Sequence, residues 1–312
     1  LISPLGLMLR TKVYAQNTWW PMIVMCAASV ILILLAFRLN SMRDLEAGFI
    51  AARPGAATAS PLLQSPLGLA LRLQQTTIVG WTAAMFILGV TYGSVFGEID
   101  AFFQTSDIFE LLLPMMEGFS LTEQFTATLL AVMTMIGLIP VLLIMLKLRS
   151  EELANRTEHL LARAVSRRRL MGSYLIMGLF LAVLGQIVSV LGLWSASATV
   201  LDQPLSLAST LQASLAYVPS MWIMLGLTVL MIGFVPKLAS LIWLYLGYTF
   251  FVIYFGGLLR LPGWLSKTTP LGFVPNVPME PMSLSRIVVM VLAAFTLLAL
   301  GMAGYEKRDI YG

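Results

Sequence analysis

One cysteine, Cys26, and one histidine, His159, stand in a chain of 312 residues. A single cysteine excludes an intrachain disulfide, and the two residues together give no cluster for a structural metal. There is no Gly-x-x-x-x-Gly-Lys-Ser/Thr loop, so the chain has no P-loop route to holding ATP phosphates. His-Glu-x-x-His, Gly-x-Ser-x-Gly and paired-Asp isoprenyl diphosphate motifs are absent as well. Charge is scarce, with Asp, Glu, Lys and Arg at 11%. None of it falls in the middle of an apolar run, where proton- or ion-coupled carriers keep their relays, which argues for energy supplied from outside the membrane part.

What the chain has in quantity is hydrophobicity. Apolar residues make up 59% and the mean hydropathy is +0.89, beyond ordinary soluble usage. The expected fold class is therefore an all-α polytopic membrane protein. Seven runs are long enough to cross a hydrocarbon core, which takes ~20 residues of helix. They cover 19–37, 77–96, 125–146, 170–194, 212–235, 238–256 and 286–304. Between the third and fourth, residues 147–169 carry seven of the 19 Lys and Arg, three Glu and the histidine. A central Arg or Glu in a bilayer costs roughly 3 kcal/mol even on the lenient insertion scale, so this stretch projects into water. With it on the cytoplasmic side, alternation puts fourteen basic residues inside and five outside, as the positive-inside rule requires. The C-terminus is then cytoplasmic. The net charge of +4 lies mostly in these loops and is no nucleic-acid signal.

The spans have punctuation between them. Residues 46–64 form a breaker-rich cytoplasmic linker. Ser65-Pro66 then supplies an N-cap and a first-turn Pro, predicting a short amphipathic elbow helix on the membrane that ends before the span at Thr77. Pro236-Lys237 marks a tight turn between the fifth and sixth spans. Residues 98–123 contain six acids and no Lys or Arg, with an apolar stretch that predicts an interfacial helix outside. The two ends also echo each other. Ser3-Pro4-Leu5-Gly6, a span and Arg43-Asp44 are repeated as Thr269-Pro270-Leu271-Gly272, a span and Arg308-Asp309. A duplicated permease half would make residues 1–45 the last span and tail of an N-terminal half and 65–312 a six-span C-terminal half, in a polypeptide that extends upstream.

Together these features resemble the type-2 ABC exporter permeases, especially the two-halved drug and polyketide-antibiotic exporter permeases of bacteria. The resemblance rests on Met42-Arg-Asp-Leu-Glu-Ala-Gly48, Gly93-Ser-Val-Phe-Gly-Glu-Ile99, Glu151-Glu152 with Glu158 and Leu160-Leu161-Ala162, Val165-Ser166-Arg167 and Tyr305-Glu-Lys-Arg-Asp309. It covers nearly the whole chain and departs from the family only at the start, where the first half's other spans are missing.

The resemblance implies an exporter of hydrophobic drugs or antibiotics in the bacterial cell membrane. Such a permease works with an N-terminal half or second permease chain and docks on two copies of an ATP-binding subunit, which hold ATP and Mg; no cofactor is expected on this chain. Loop 147–169 would couple to the ATPase through Glu151, Glu152, Arg156, Glu158, Leu160 and Leu161. Helical spacing puts Leu153, Leu160, Leu161 and Ala164 on one face and Glu151, Glu158 and Arg163 off it, an apolar ridge flanked by charge. In related exporters the second and fifth spans of each half line the central cavity. Here those are 125–146, with Met133, and 238–256, where Tyr248, Phe251 and Phe255 form an aromatic stripe suited to large apolar ligands. Residues 257–285 make the outer loop. Two other readings stay open: an intramembrane hydrolase using Glu151, Glu152 and His159, and an ion-coupled carrier.

Overall fold

A computed structural model describes residues 7–8, 10–11, 16–42, 58, 60–98, 120–157, 165–201, 204–275, 277, 280 and 282–308. Among them no strand occurs, and seven helical segments are long and apolar enough to cross a membrane. The fold is all-α and polytopic. The chain divides into two compact units, Leu1–Ala59 and Ser60–Gly312.

In the first unit, α1 (Trp20–Ser41) starts with Pro21 in its first turn, where a missing N–H costs nothing, and carries Arg38 in its last. Its side chains from Ile31 to Leu35 are exposed all round the helix, a surface that only lipid or another helix satisfies.

The second unit is a bundle. Ser65 caps α2 (Pro66–Val95) by accepting the Gly68 N–H at 3.0 Å. The helix then runs unbroken through Thr77 for 30 residues, so the expected elbow is the first turns of the span itself and not a separate element. No Gly or Pro lies between Leu69 and Val79 to interrupt the hydrogen-bond ladder there. A capping box opens α3 (Leu121–Leu153): Ser120 accepts the Glu123 N–H and the Glu123 carboxylate accepts the Ser120 N–H at 2.9 Å. Ser166 caps α4 (Arg167–Val200) by accepting the Arg169 N–H at 3.3 Å, without the reciprocal bond.

The fifth span is not one helix as the hydropathy predicts. It breaks at Ala216–Tyr217 into α5 (Leu207–Leu215) and α6 (Val218–Phe234). Pro219 has no N–H for the carbonyl four residues back, and the chain switches to shorter bonds, Tyr217 N–H to Ser214 O and Ser220 N–H to Tyr217 O, each 3.0 Å. The expected turn at Pro236 is a six-residue 3₁₀ segment, Pro236–Leu241, leading into α7 (Ile242–Phe255). The segment after α7 includes a helical turn, Gly263–Ser266, and a 3₁₀ turn, Pro270–Phe273, capped by Thr269; α8 (Leu284–Lys307) completes the unit. Residues 3–6, 43–44 and 309 of the internal echo and residues 99–119 of the acidic stretch lie outside the described residues.

Two pairs of helices make the walls and α3 fills the space between them. α2 lies on α4 so closely that a Cβ on Gly89 would sit 2.1 Å from the Ser189 carbonyl oxygen, and one on Gly192 2.3 Å from that of Phe86. α6 and α8 meet the same way: a Cβ on Gly233 would be 2.3 Å from the Gly301 oxygen, and one on Gly301 2.6 Å from the Leu230 nitrogen. Lipid offers apolar surface as good as leucine does, so membrane helices gain by packing contact, and small residues let backbones approach. Between the pairs, Leu130, Met133, Leu138, Leu142, Met145 and Leu148 of α3 are completely buried.

Candidate functional site

At one end of the bundle α3, α4, α6 and α8 converge on a set of charges. α3 stops at Leu153, after which Asn155 takes a left-handed φ of 56°, a conformation Asn tolerates better than most residues. Glu152 points inward with 7% of its side chain exposed. One carboxylate oxygen accepts the Tyr305 O–H at 2.5 Å and the other an Arg308 N–H at 2.6 Å. A second Arg308 N–H donates to the Ile232 carbonyl at 2.6 Å, one of the unpaired carbonyls at the C-terminus of α6, where a cation is also favoured by the helix dipole. The guanidinium lies 5.2 Å over the Tyr305 ring. Arg167 at the start of α4 donates to the Glu306 and Arg308 carbonyls, and Arg168 pairs with the Glu306 carboxylate. Glu151, 8% exposed, is held by Lys147 at 3.1 Å and Arg156 at 3.3 Å.

Both carboxylates are neutralised by cations, so neither is free to activate water, and among the described residues no group of three His, Cys, Asp or Glu is placed to hold a metal. The network fastens the start of loop 147–169 to the last turn of α8. Of the residues expected in the loop, Glu151 and Glu152 face the bundle while Arg156 remains exposed, as does Leu153 at 70%. Glu158, His159, Leu160, Leu161, Arg163 and Ala164 lie outside the described residues.

The expected substrate wall is scattered. Met133 is fully buried in the helix core. On α7 the packed face is Ile242, Leu246, Thr249 and Val252, and the aromatic stripe stands off it. Phe251 is 47% exposed, with its ring 5.8 Å from that of half-buried Phe255. Tyr248 is committed elsewhere: its hydroxyl bonds the Thr268 hydroxyl at 2.7 Å, while the Tyr245 O–H donates to the Thr268 carbonyl at 2.8 Å. Of the expected wall, Phe251 stands exposed, and the Phe255 ring packs among those of Phe250, Phe251 and Tyr254.

Sequence reasoning missed a second polar group, in the middle of the bundle. Gln186 of α4 donates to Thr134 of α3 at 2.9 Å, reaches the Met221 sulfur at 3.3 Å and accepts the Ser214 O–H of α5 at 2.5 Å, all of them buried. The available signal was a lone Gln inside an apolar run. Gln186→Leu is expected to destabilise the bundle by about 1 kcal/mol, the scale of interhelical hydrogen bonds in membranes. Adding Ser214→Ala should return most of that, because no acceptor-less hydroxyl is then left. Reversible unfolding in mixed micelles reads both, and a single variant as stable as wild type would remove the node's structural role.

Residues 63–306 match the family described as the multidrug efflux system permease Rv1217c, C-terminal domain. Over 312 residues, 99% of this chain, the sequence is 30% identical to the multidrug efflux system permease protein Rv1217c of Mycobacterium tuberculosis, and it spans 57% of that relative's length. The chain belongs to this permease family.

Proposed function

We propose that this permease-family chain is the transmembrane part of a bacterial ABC exporter of hydrophobic drugs or antibiotics, driven by a separate ATP-binding subunit that carries ATP and Mg. The observation that carries the reading is the family match over residues 63–306. The absence of a P-loop in the sequence and of charge in the middle of the spans supports an external motor. The partner docks on loop 147–169 from the cytoplasm, an orientation supported by fourteen basic residues on that side against five. Leu153 and Arg156 stand exposed at the loop's start, and the Glu152–Arg308 network passes its movement to α8. A second permease half completes the pathway, and Phe251 with Phe255 contributes apolar ring surface to its wall.

The test is transport of a hydrophobic fluorescent dye in proteoliposomes holding the complete exporter, both permease halves and the ATPase. Transport should require ATP and survive a proton ionophore; collapse with the ionophore would establish the carrier instead. Glu158→Lys is the informative loop variant, since Glu152 is committed to Arg308 and its replacement would disturb the bundle. ATP hydrolysis should persist while dye transport falls tenfold or more. Normal transport in that variant would remove the coupling assignment.

A further inference from the structure

The 3₁₀ segment Pro236–Leu241, at the end of the bundle that carries the charged network, has three unlike edges. With three residues per turn, positions i and i+3 lie one above the other. Pro236 and Ala239 make the inward edge, Ala239 being completely buried. Leu238 and Leu241 make a second edge, and both stand exposed. Lys237 and Ser240 make the third, exposed as well. The segment joins two candidate spans, so it lies where the headgroups of a bilayer begin, and Lys237 can reach them with its stem along the apolar boundary.

Arg149, near the end of α3, brings a second cation to the third edge: its guanidinium donates to the Ser240 hydroxyl at 3.4 Å. Ser240 accepts that bond and keeps its own O–H to donate. Among the described residues no Asp or Glu pairs with Arg149 or Lys237, whereas Lys147, Arg156, Arg168, Arg286 and Arg308 each have an acid partner. A guanidinium, an ammonium and a hydroxyl on one edge suit a phosphodiester, whose oxygens accept several charge-assisted hydrogen bonds at once. The neighbouring leucine edge is poorly matched to water and well matched to an acyl chain. We propose that Arg149, Lys237 and Ser240 bind the phosphate of an anionic phospholipid whose acyl chain lies on Leu238 and Leu241. The apolar edge beside the donors favours a lipid over a free phosphate or an acidic protein surface. The site is separate from the Phe251–Phe255 surface and stands independently of the transport reading.

The complete exporter in detergent micelles is titrated with phosphatidylglycerol or phosphatidylcholine carrying a diazirine early in one acyl chain, illuminated, and mapped by peptide mass spectrometry. Adducts are expected on the peptide holding Leu238 and Leu241, with phosphatidylglycerol half-saturating at a level on the order of tenfold below phosphatidylcholine. Lys237→Gln and Arg149→Gln should each raise the phosphatidylglycerol level about fivefold, the share of one basic side chain at an anionic surface, and leave phosphatidylcholine unmoved. Arg72→Gln removes another exposed cation, one bonded to Gln75 on its own helix, and should change neither lipid. Equal half-saturation by the two lipids, or a phosphatidylglycerol level unmoved in both charge variants, overturns the site. Inorganic phosphate that abolishes the labelling where sodium chloride of equal ionic strength does not would assign a free anion instead of a lipid. Adducts found on the permease chain alone but lost in the complete exporter would show that a protein partner covers the segment, and would overturn the lipid as occupant.

Discussion

Gly301→Val is expected to unseat α8 from α6 and leave little folded protein in detergent. The added Cβ would lie 2.6 Å from both the Leu230 nitrogen and the Val229 carbonyl carbon, and both are backbone atoms that no rotamer change can move. Extra methylenes in a well-packed core cost about 1–3 kcal/mol when side chains can give way. Here a pair of helices must separate along the face where Gly233 meets Gly301, so the loss should exceed that range. Gly247→Ala is the matched control. Its Cβ meets nothing within 4 Å, and exchanging a helical Gly for Ala is favourable by about 1 kcal/mol, so it should melt at or slightly above wild type. Similar melting of the two variants would mean that the backbones are not in contact.

Glu152→Ala should cost about 3–5 kcal/mol, the usual result of stranding one partner of a buried ion pair. It leaves the Arg308 guanidinium, 15% exposed, with the Ile232 carbonyl and the Tyr305 ring but no counter-charge, and takes away the acceptor of the Tyr305 hydroxyl. Adding Arg308→Met should recover much of the loss, because replacing both members of such a pair by apolar groups is far milder than removing one. Thermal unfolding of the two single variants and the double variant closes the cycle. Strictly additive losses would show that Glu152 and Arg308 act separately and that the loop is not fastened to α8 through them. In the complete exporter, the double variant is further expected to hydrolyse ATP with dye transport reduced, since the fold is kept while the link to α8 is cut.

Much of this protein follows from one-dimensional properties. Apolar run length against bilayer thickness found the seven spans, although the helices overrun several expected ends, α2 starting at Pro66 and α3 reaching Leu153, and Ser65-Pro66 and Pro236 marked boundaries. Composition determined the fold class, and motif runs such as Tyr305-Glu-Lys-Arg-Asp309 pointed to the permease family. These are local quantities, set by neighbours along the chain and by the solvent each stretch requires. Tertiary structure alone decided what the charged and polar residues do. Glu152 meets Tyr305 and Arg308 across 153 and 156 positions, a pairing no periodicity encodes, and it turned a residue expected at a docking surface into an internal anchor. Tyr248 went the same way when the segment after α7 folded back and offered Thr268 as its partner. Met133 is sealed in because α3 runs between two glycine-packed pairs, an arrangement that depends on which helices touch. Hydropathy tells a helix only that it must leave water; which side chains then find each other depends on how the helices pack.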